Sequence, residues 1–212
     1  MTNDELARLS QLGVATVYEA SGREGLIDAP LIQLLPGSRV AGPARTVLCG
    51  QDDNLMVHAV IEQIQPGEVL VLTMPEPSPV ALIGELLATQ VKVRKAAGIL
   101  VDAAIRDIEE LKELGLPIWT RFICVKGATK TKVGGLNGAV TVGRARIAPS
   151  DIIILDSDGA VCVKLERAGE VLKAAEARFE KEARLRKKLA TGEMSYDLHG
   201  LREIVEAKRR NP

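Results

Sequence analysis

Gly98-Ile-Leu-Val-Asp102-Ala-Ala-Ile-Arg106-Asp107-Ile-Glu-Glu110 is the stretch on which the fold turns. Ile99, Leu100 and Val101 make a continuous apolar run, the pattern of a strand buried on both faces. That run delivers two adjacent charges, Arg106 and Asp107, to the point where a short helical pattern, Ile108 to Leu114, begins; Gly115 and Pro117 close it. Strand, charged pair and helix in that order predict an α/β sheet, in which ligands bind at the carboxyl ends of strands.

Working outward, Val69 to Leu72 reads as a second buried strand and Ile118 to Val125 as a third. Between the first two, a helix is expected from Pro79, apolar at Leu82, Ile83, Leu86, Leu87 and Val91, with basic last turns and Gly98 beyond its end. Toward the N-terminus, residues 3–22 predict a helix, Arg39 to Leu48 an alternating strand, and Asn54 to Ile64 a helix closed by Gln65-Pro66-Gly67-Glu68. Toward the C-terminus, the Gly- and Thr-rich segment 127–146 predicts loops and hairpins. Ile152 to Leu155 and Ala160 to Val163 flank the hairpin turn Asp156-Ser157-Asp158-Gly159. A charged helical pattern then runs from Glu166 to Leu189, and an amphipathic piece from Leu198 to Lys208. The expected organisation is an α/β core domain over residues 1–165 and a helical extension over 166–212, with no internal repeat.

Composition narrows the function classes. Hydrophobic residues make up 46% of the 212 and aromatics only 2%, so a substantial core must be built from Val, Ile, Leu and Ala. Lysine plus arginine number 28 and aspartate plus glutamate 28. A net charge of zero lacks the field that draws proteins onto nucleic acid, and near-neutrality often accompanies self-association. Met1-Thr2-Asn3-Asp4-Glu5 has neither the basic nor the apolar region of a signal peptide. No apolar stretch approaches the roughly 20 residues that cross a bilayer. Cys49, Cys124 and Cys162 are scattered through apolar runs, an odd number that fits a reducing compartment; a cytoplasmic, membrane-free protein is expected.

The chemistry-bearing residues cluster around the opening stretch. Asp107 is a carboxylate suited to a hard divalent cation. Arg106 is permanently charged and can clamp a carboxylate or a developing enolate. Asp107 with Glu110 three residues on is equally an Asp-x-x-Glu capping pattern, and capping leaves lone pairs for a metal. The second element is Gly84-Glu85-Leu86-Leu87. If Gly84 opens a helical turn, the amides of Glu85, Leu86 and Leu87 are unpaired donors suited to a small carboxylate. If the helix starts near Pro79, Gly84 is a packing glycine inside it, the alternative that sequence favours.

Gly84-Glu-Leu-Leu-Ala88, Gly98-Ile-Leu-Val-Asp102-Ala-Ala-Ile-Arg106-Asp107 and Leu114-Gly-Leu-Pro117 together resemble one family. It is shared by the 4-hydroxy-4-methyl-2-oxoglutarate aldolases and the RraA-like regulators of ribonuclease E activity. Ala41-Gly-Pro-Ala44, Asp53-Asn54, Pro66-Gly67, Val140-Thr-Val-Gly143 and Ile147-Ala-Pro149-Ser-Asp151 fit the same pattern, so the similarity spans residues 10 to 165. The resemblance implies a β/β/α swivelling-type domain assembled as a homotrimer or homohexamer, with sites between subunits. It implies Mg²⁺ or Mn²⁺ held at Asp107, and pyruvate held by Arg106 and the amides of Gly84 to Leu87. Glu85 stands where the aldolases often have Asp, and Pro75-Glu-Pro-Ser-Pro79 lacks the glycine-rich sequence of many relatives. The tail resembles the aldolases' C-terminal helix, which supplies an acidic residue to a neighbour's site; Glu182 is the first candidate and Glu180 the second. For either, the competing reading is a solvated helix-face charge in an ion-pair ladder.

These features imply a metal-dependent pyruvate aldolase that cleaves a 4-hydroxy-2-oxo acid, such as 4-hydroxy-4-methyl-2-oxoglutarate or 4-carboxy-4-hydroxy-2-oxoadipate, with oxaloacetate decarboxylation as a side activity. The alternative is a non-catalytic regulator that binds a ribonuclease or RNA helicase. With no histidine well placed, a metal-bound water is expected to take the C4 hydroxyl proton. His58 and His199 lie far apart and outside any zinc motif, and no G-x-S-x-G elbow is present. Gly134-Gly135-Leu-Asn-Gly138 resembles a phosphate loop without its strand-and-helix context, and the turn 156–159 lacks the later ligands of a calcium loop. Lys92 and Lys95 belong to a helix's basic last turns, and Lys181 to Lys188 alternate with acids as on a solvated helix.

Overall fold

The computed structural model describes residues 1–210 and divides into two units, Met1–Ala175 and Glu176–Pro212. The first unit is built on a mixed sheet. Its parallel heart is β2 (Val40–Leu48), β3 (Val69–Thr73), β5 (Gly98–Ile105) and β6 (Ile118–Ile123), which neighbour one another in the order β2-β3-β5-β6. A two-residue strand, β1 (Ile32–Gln33), pairs antiparallel on the β6 edge. On the β2 edge the hairpin β10 (Ile152–Asp156) and β11 (Gly159–Val163) adds two antiparallel strands. β8 (Val140–Val142) and β9 (Ala145–Ile147) form a separate hairpin.

The sheet curls into a half-barrel. Val40, Val69, Val71 and Leu100 share one buried cluster with Trp119 of β6 and with Ile153 and Leu155 of β10. Trp119, the one aromatic side chain of the buried core, donates its indole N–H to the Asp156 carbonyl at 2.9 Å and so ties β6 to β10 across the concave face. The convex face is covered by α3 (Leu55–Val60), α4 (Glu85–Val93) and α5 (Ile108–Leu114), whose apolar sides meet Leu70, Leu72, Ile99, Val101 and Ile105. α1 (Asn3–Leu12), α2 (Val14–Ala20) and the start of α6 (Ala168–Ala190) pack with β10 and β11. The expected α/β class and the aliphatic core are both present.

Three expectations change in detail. The helix over residues 3–22 breaks at Gly13, whose φ of +83° ends α1, while the next amide, Val14, donates to Asp156 Oδ2 at 2.8 Å. The helix expected over 54–64 is α3 followed by a 3-10 turn. The helix expected from Pro79 begins only at Glu85: Ala81–Ile83 is instead strand β4, paired in parallel with the distal half of β5. β5 thus changes partner along its length, pairing with β3 up to Val101 and with β4 from Ala104. Asp102 lies at this irregularity, buried, and meets Arg121 Nη2 of β6 at 2.6 Å. The glycine-rich run near 135 contributes β7 (Gly135–Leu136), a plain strand on β2, and the 156–159 turn closes the β10–β11 hairpin.

The first unit extends to Ala175 because the opening turns of α6 bury Ala168, Val171, Leu172 and Ala175. The second unit holds the remainder of α6, then α7 (Ser195–Leu198) and α8 (Leu201–Arg210). No helix among the described residues is long and apolar enough to cross a membrane.

Candidate functional site

The site forms where β4, β5 and β6 end. β5 is wholly buried through Ile105, and its next residue, Arg106, is pinned by donating its amide to the Ile83 carbonyl of β4 at 3.2 Å. Asp107 follows in the left-handed region, at φ 62° and ψ 52°, costly for a residue with a Cβ and a recurrent feature of functional sites. This conformation sends the carboxylate away from the helix it precedes. Asp107 makes no side-chain cap on α5, so the capping-box reading does not hold. Its Oδ2 instead accepts the Glu85 amide at 3.1 Å, and Arg106 Nε lies 3.8 Å from the same oxygen.

Gly84 is what permits this approach. A Cβ there would fall 2.3 Å from Asp107 Oδ2 and 3.1 Å from Arg106 Cγ, inside van der Waals contact. Gly127, on the loop after β6, does the same for the far end of Arg106, since its Cβ would lie 2.9 Å from Nη1. The guanidinium is thus held between two glycines with its side chain still 49% exposed. Gly84 is also the N-cap of α4 and offers no side-chain cap. The Glu85 amide goes to Asp107, while those of Leu86 and Leu87 have no acceptor among the described residues. Free amides at a helix N-terminus favour an anion through both hydrogen bonding and the helix dipole.

These groups open on one cavity of about 280 Å³. Gly84, Leu86, Leu87, Arg106 and Asp107 line one part of it. Asn54 and His58 of the α3 region, with Gly127, Ala128 and Lys130, line another part, and β4 and Gln90 complete it. The sequence-predicted residues Arg106, Asp107, Gly84, Leu86 and Leu87 therefore come together. Glu85 contributes its backbone, whereas its carboxylate accepts the Thr89 hydroxyl at 2.9 Å. Glu110 is exposed on α5.

Asn54, His58 and Lys130 are among the cavity residues that went unpredicted. His58 was set aside as an isolated histidine, yet stands on the wall; Asn54 and Lys130 carried no signal beyond the Asp53-Asn54 pair in the family pattern. Asp53 holds that wall in place. Its solvent-inaccessible Oδ2 accepts the Thr129 hydroxyl and the Thr131 amide, both at 2.6 Å, and the Lys132 amide at 3.1 Å; Oδ1 accepts the Leu55 amide at 2.9 Å. Burial pushes the Asp53 carboxyl upward, but these donors outweigh it and hold the group well below the usual carboxylate range.

Asp107 Oδ1 has no partner among the described residues. Mg²⁺ takes one or two protein carboxylates and completes its shell with water and substrate oxygens. One free carboxylate oxygen beside a guanidinium and an amide-lined cavity fits such an ion, and the similarly hard Mn²⁺. No group of three or more His, Cys, Asp or Glu gathers into a closed metal cage among the described residues.

Glu182 and Glu180 lie in the second unit, both in helical ion pairs. Arg178 Nε meets Glu182 Oε1 at 2.8 Å, and Arg184 Nη2 lies 3.7 Å from Glu180 Oε2.

Comparison with known proteins gives concordant matches. The family model "RraA-like: Aldolase/RraA" matches residues 14–162. A protein of Halalkalibacterium halodurans named "Putative 4-hydroxy-4-methyl-2-oxoglutarate aldolase" is 35% identical over 176 residues, 82% of this chain and 84% of its own length. Among solved structures, Streptomyces coelicolor RraAS2, described as an unusual member of the RNase ES inhibitor RraA protein family, superposes with a TM-score of 0.78. It is 29% identical, over 88% of this chain and 97% of the other. An uncharacterized protein from Pseudomonas syringae pv. tomato gives a TM-score of 0.81 at 22% identity, over 92% of this chain and 96% of its own, a likeness of fold.

Proposed function

Because the chain belongs to the RraA-like (Aldolase/RraA) family, we propose that it is a divalent-metal-dependent aldolase that cleaves a 4-hydroxy-2-oxo acid to pyruvate and a second oxo acid. The observation that carries this reading is the meeting of Arg106, Asp107 and the free α4 amides on one cavity at the strand ends. A cavity with that lining, and with Lys130 added, suits an acidic substrate.

Asp107, through its free Oδ1, would hold Mg²⁺ or Mn²⁺. When bound, the cation supplies Lewis-acid stabilisation to an oxygen on which negative charge develops. The amides of Leu86 and Leu87 receive the substrate's C1 carboxylate. Arg106 places fixed positive charge beside the 2-oxo oxygen. When a base removes the C4 hydroxyl proton, the C3–C4 bond breaks and its electron pair moves onto the 2-oxo oxygen as an enolate. C4 leaves as a carbonyl, and protonation at C3 then gives pyruvate. Arg106 acts on the charge-developing oxygen in a site already organised for it, the arrangement from which electrostatic catalysis draws most. The Glu85 amide and Gly84 hold Asp107 in position. Oxaloacetate passes through the same enolate, so its decarboxylation is an expected side activity. A homotrimer or homohexamer, with Glu182 reaching a neighbour's site, completes the reading.

Pyruvate release from 4-hydroxy-4-methyl-2-oxoglutarate and from oxaloacetate, each with Mg²⁺ and with chelator, is the direct test. Arg106→Ala and Asp107→Ala are each expected to lower turnover about 100-fold or more. Near-normal turnover in either variant would refute the assignment.

The likeness to RraAS2 favours a second reading, a regulator that binds a ribonuclease. A tight ribonuclease partner in a pull-down, together with no metal-dependent pyruvate release, is the pattern that would select it.

A further inference from the structure

One buried polar atom of a residue that lines the cavity lacks a partner. Asn54 is 8% exposed, and its backbone is fixed on both sides: its amide donates to the Thr129 carbonyl at 2.9 Å and its carbonyl accepts the Val57 amide at 3.0 Å. Its Nδ2 donates to the Leu82 carbonyl of β4 at 3.0 Å. That contact sets which end of the amide is oxygen, because the flipped side chain would press Oδ1 against the carbonyl oxygen. Oδ1 is therefore buried with no hydrogen-bond partner among the described residues. Buried acceptors are rarely left so, since a desolvated oxygen forfeits its bonds to water without replacement.

We propose that Asn54 determines specificity for the hydroxyl half of the substrate, its Oδ1 accepting a hydrogen bond from the C4 hydroxyl; this deepens, and rests on, the aldolase reading above. The substrate's own groups lead to that assignment. At neutral pH its carboxylate and oxo oxygens only accept, and each would meet Oδ1 as acceptor against acceptor. The C4 hydroxyl is the donor that a 4-hydroxy-2-oxo acid carries. The substrate's acceptors have other partners in Arg106 and the α4 amides. Asn54 takes no proton in this role. It orients the hydroxyl while the base removes the proton, and the bond is lost once C4 becomes a carbonyl. A 2-oxo acid without that hydroxyl leaves the oxygen unpaired, and sites built to bond a substrate hydroxyl reject analogues that lack it. Asn54 would thus favour aldols over oxaloacetate.

Two rates measured on the same protein separate this role from the chemistry: pyruvate release from 4-hydroxy-4-methyl-2-oxoglutarate, and exchange of pyruvate methyl hydrogens in D₂O. The second passes through the same enolate and involves no C4 hydroxyl. Asn54→Leu removes the acceptor; Asn54→Asp keeps an oxygen there but loses the donor to Leu82. The ratio of cleavage to exchange is expected to fall about tenfold or more in Asn54→Leu. In Asn54→Asp it should stay within about threefold of wild type even if both rates drop. If circular dichroism shows that the leucine variant does not fold, Asn54→Ala removes the same oxygen without added bulk and is read by the same ratio. An equal fall in both variants, or none in either, assigns Asn54 a structural role and overturns the proposal while leaving the aldolase intact. A wild-type protein that neither cleaves nor exchanges removes the aldolase reading, and this inference with it.

Discussion

At the scale of single residues the site depends on two absent side chains. A methyl group at Gly84 would sit 2.3 Å from Asp107 Oδ2, and the carboxylate would have to leave the Glu85 amide to make way for it. Gly84 itself has φ −134°, which alanine adopts readily, so Gly84→Ala should fold and melt much as wild type does. Displacement of a catalytic group by about 1 Å can cost about 100-fold, and a loss of that order in pyruvate release, with a near-native melting curve, is the expected result. Gly127→Ala provides the contrast. Its Cβ would meet Nη1, the far end of a flexible side chain, at 2.9 Å, so Arg106 can swing aside. Only a several-fold rise in KM is expected, roughly the loss of one imperfect hydrogen bond. Equal effects of the two alanines would show that neither glycine acts through the group it faces.

At the scale of elements, the α3–loop wall is fastened by one carboxylate. Asp53 accepts from residues 129, 131 and 132, so the segment that presents Gly127, Ala128 and Lys130 to the cavity is tied to the start of α3. The folded-state pKa of Asp53 lies below the ordinary value, despite burial, because these donors favour the charged form. Its contribution to stability is therefore full above the unfolded-state value of about 4 and drains away as pH falls toward the folded-state value. Asp53→Asn should flatten the acid side of the stability–pH profile below about pH 4 and speed exchange of the Thr131 and Lys132 amides. An acid limb of unchanged slope would mean that other carboxylates set it. This fastening was hard to read in the sequence, because its partners lie more than 70 positions apart. The β5 strand, its charged end and α5 were legible because burial, charge and helix punctuation follow one another directly along residues 98–117. The start of α4 was not. Leu82 and Ile83 extend the spacing of Leu86 and Leu87 into an apparent helix, and only their pairing with β5 makes them a strand. The capping alternative for Asp107 fails for a related reason: Asp-x-x-Glu is a capping pattern only if the backbone stays out of the left-handed region, which no local spacing reveals.

At the scale of the whole molecule, the candidate groups are divided between the two units of the chain. The first unit supplies Arg106, Asp107 and the α4 amides, whereas Glu182 belongs to the second unit, paired with Arg178. If Glu182 completes a neighbour's site, two inactive variants should complement each other. Asp107→Ala chains lack the cation's carboxylate and Glu182→Gln chains the tail acid, so neither assembly alone cleaves well. In subunits co-assembled from equal amounts, a site takes Asp107 from one chain and Glu182 from another, and each is intact half the time. About a quarter of wild-type activity should return, as closed assemblies with heterologous contacts require. Chains that exchange freely yet regain nothing would place every needed group within one chain and leave Glu182 to its ion pair. Full activity in Glu182→Gln alone would lead to the same conclusion before any mixing. Thermal melting discriminates further: Glu182 is half-exposed, and losing one exposed i, i+4 pair costs only about 0.3–0.5 kcal/mol. A large loss of cleavage with an unmoved melting curve would therefore assign the residue to chemistry rather than to the helix.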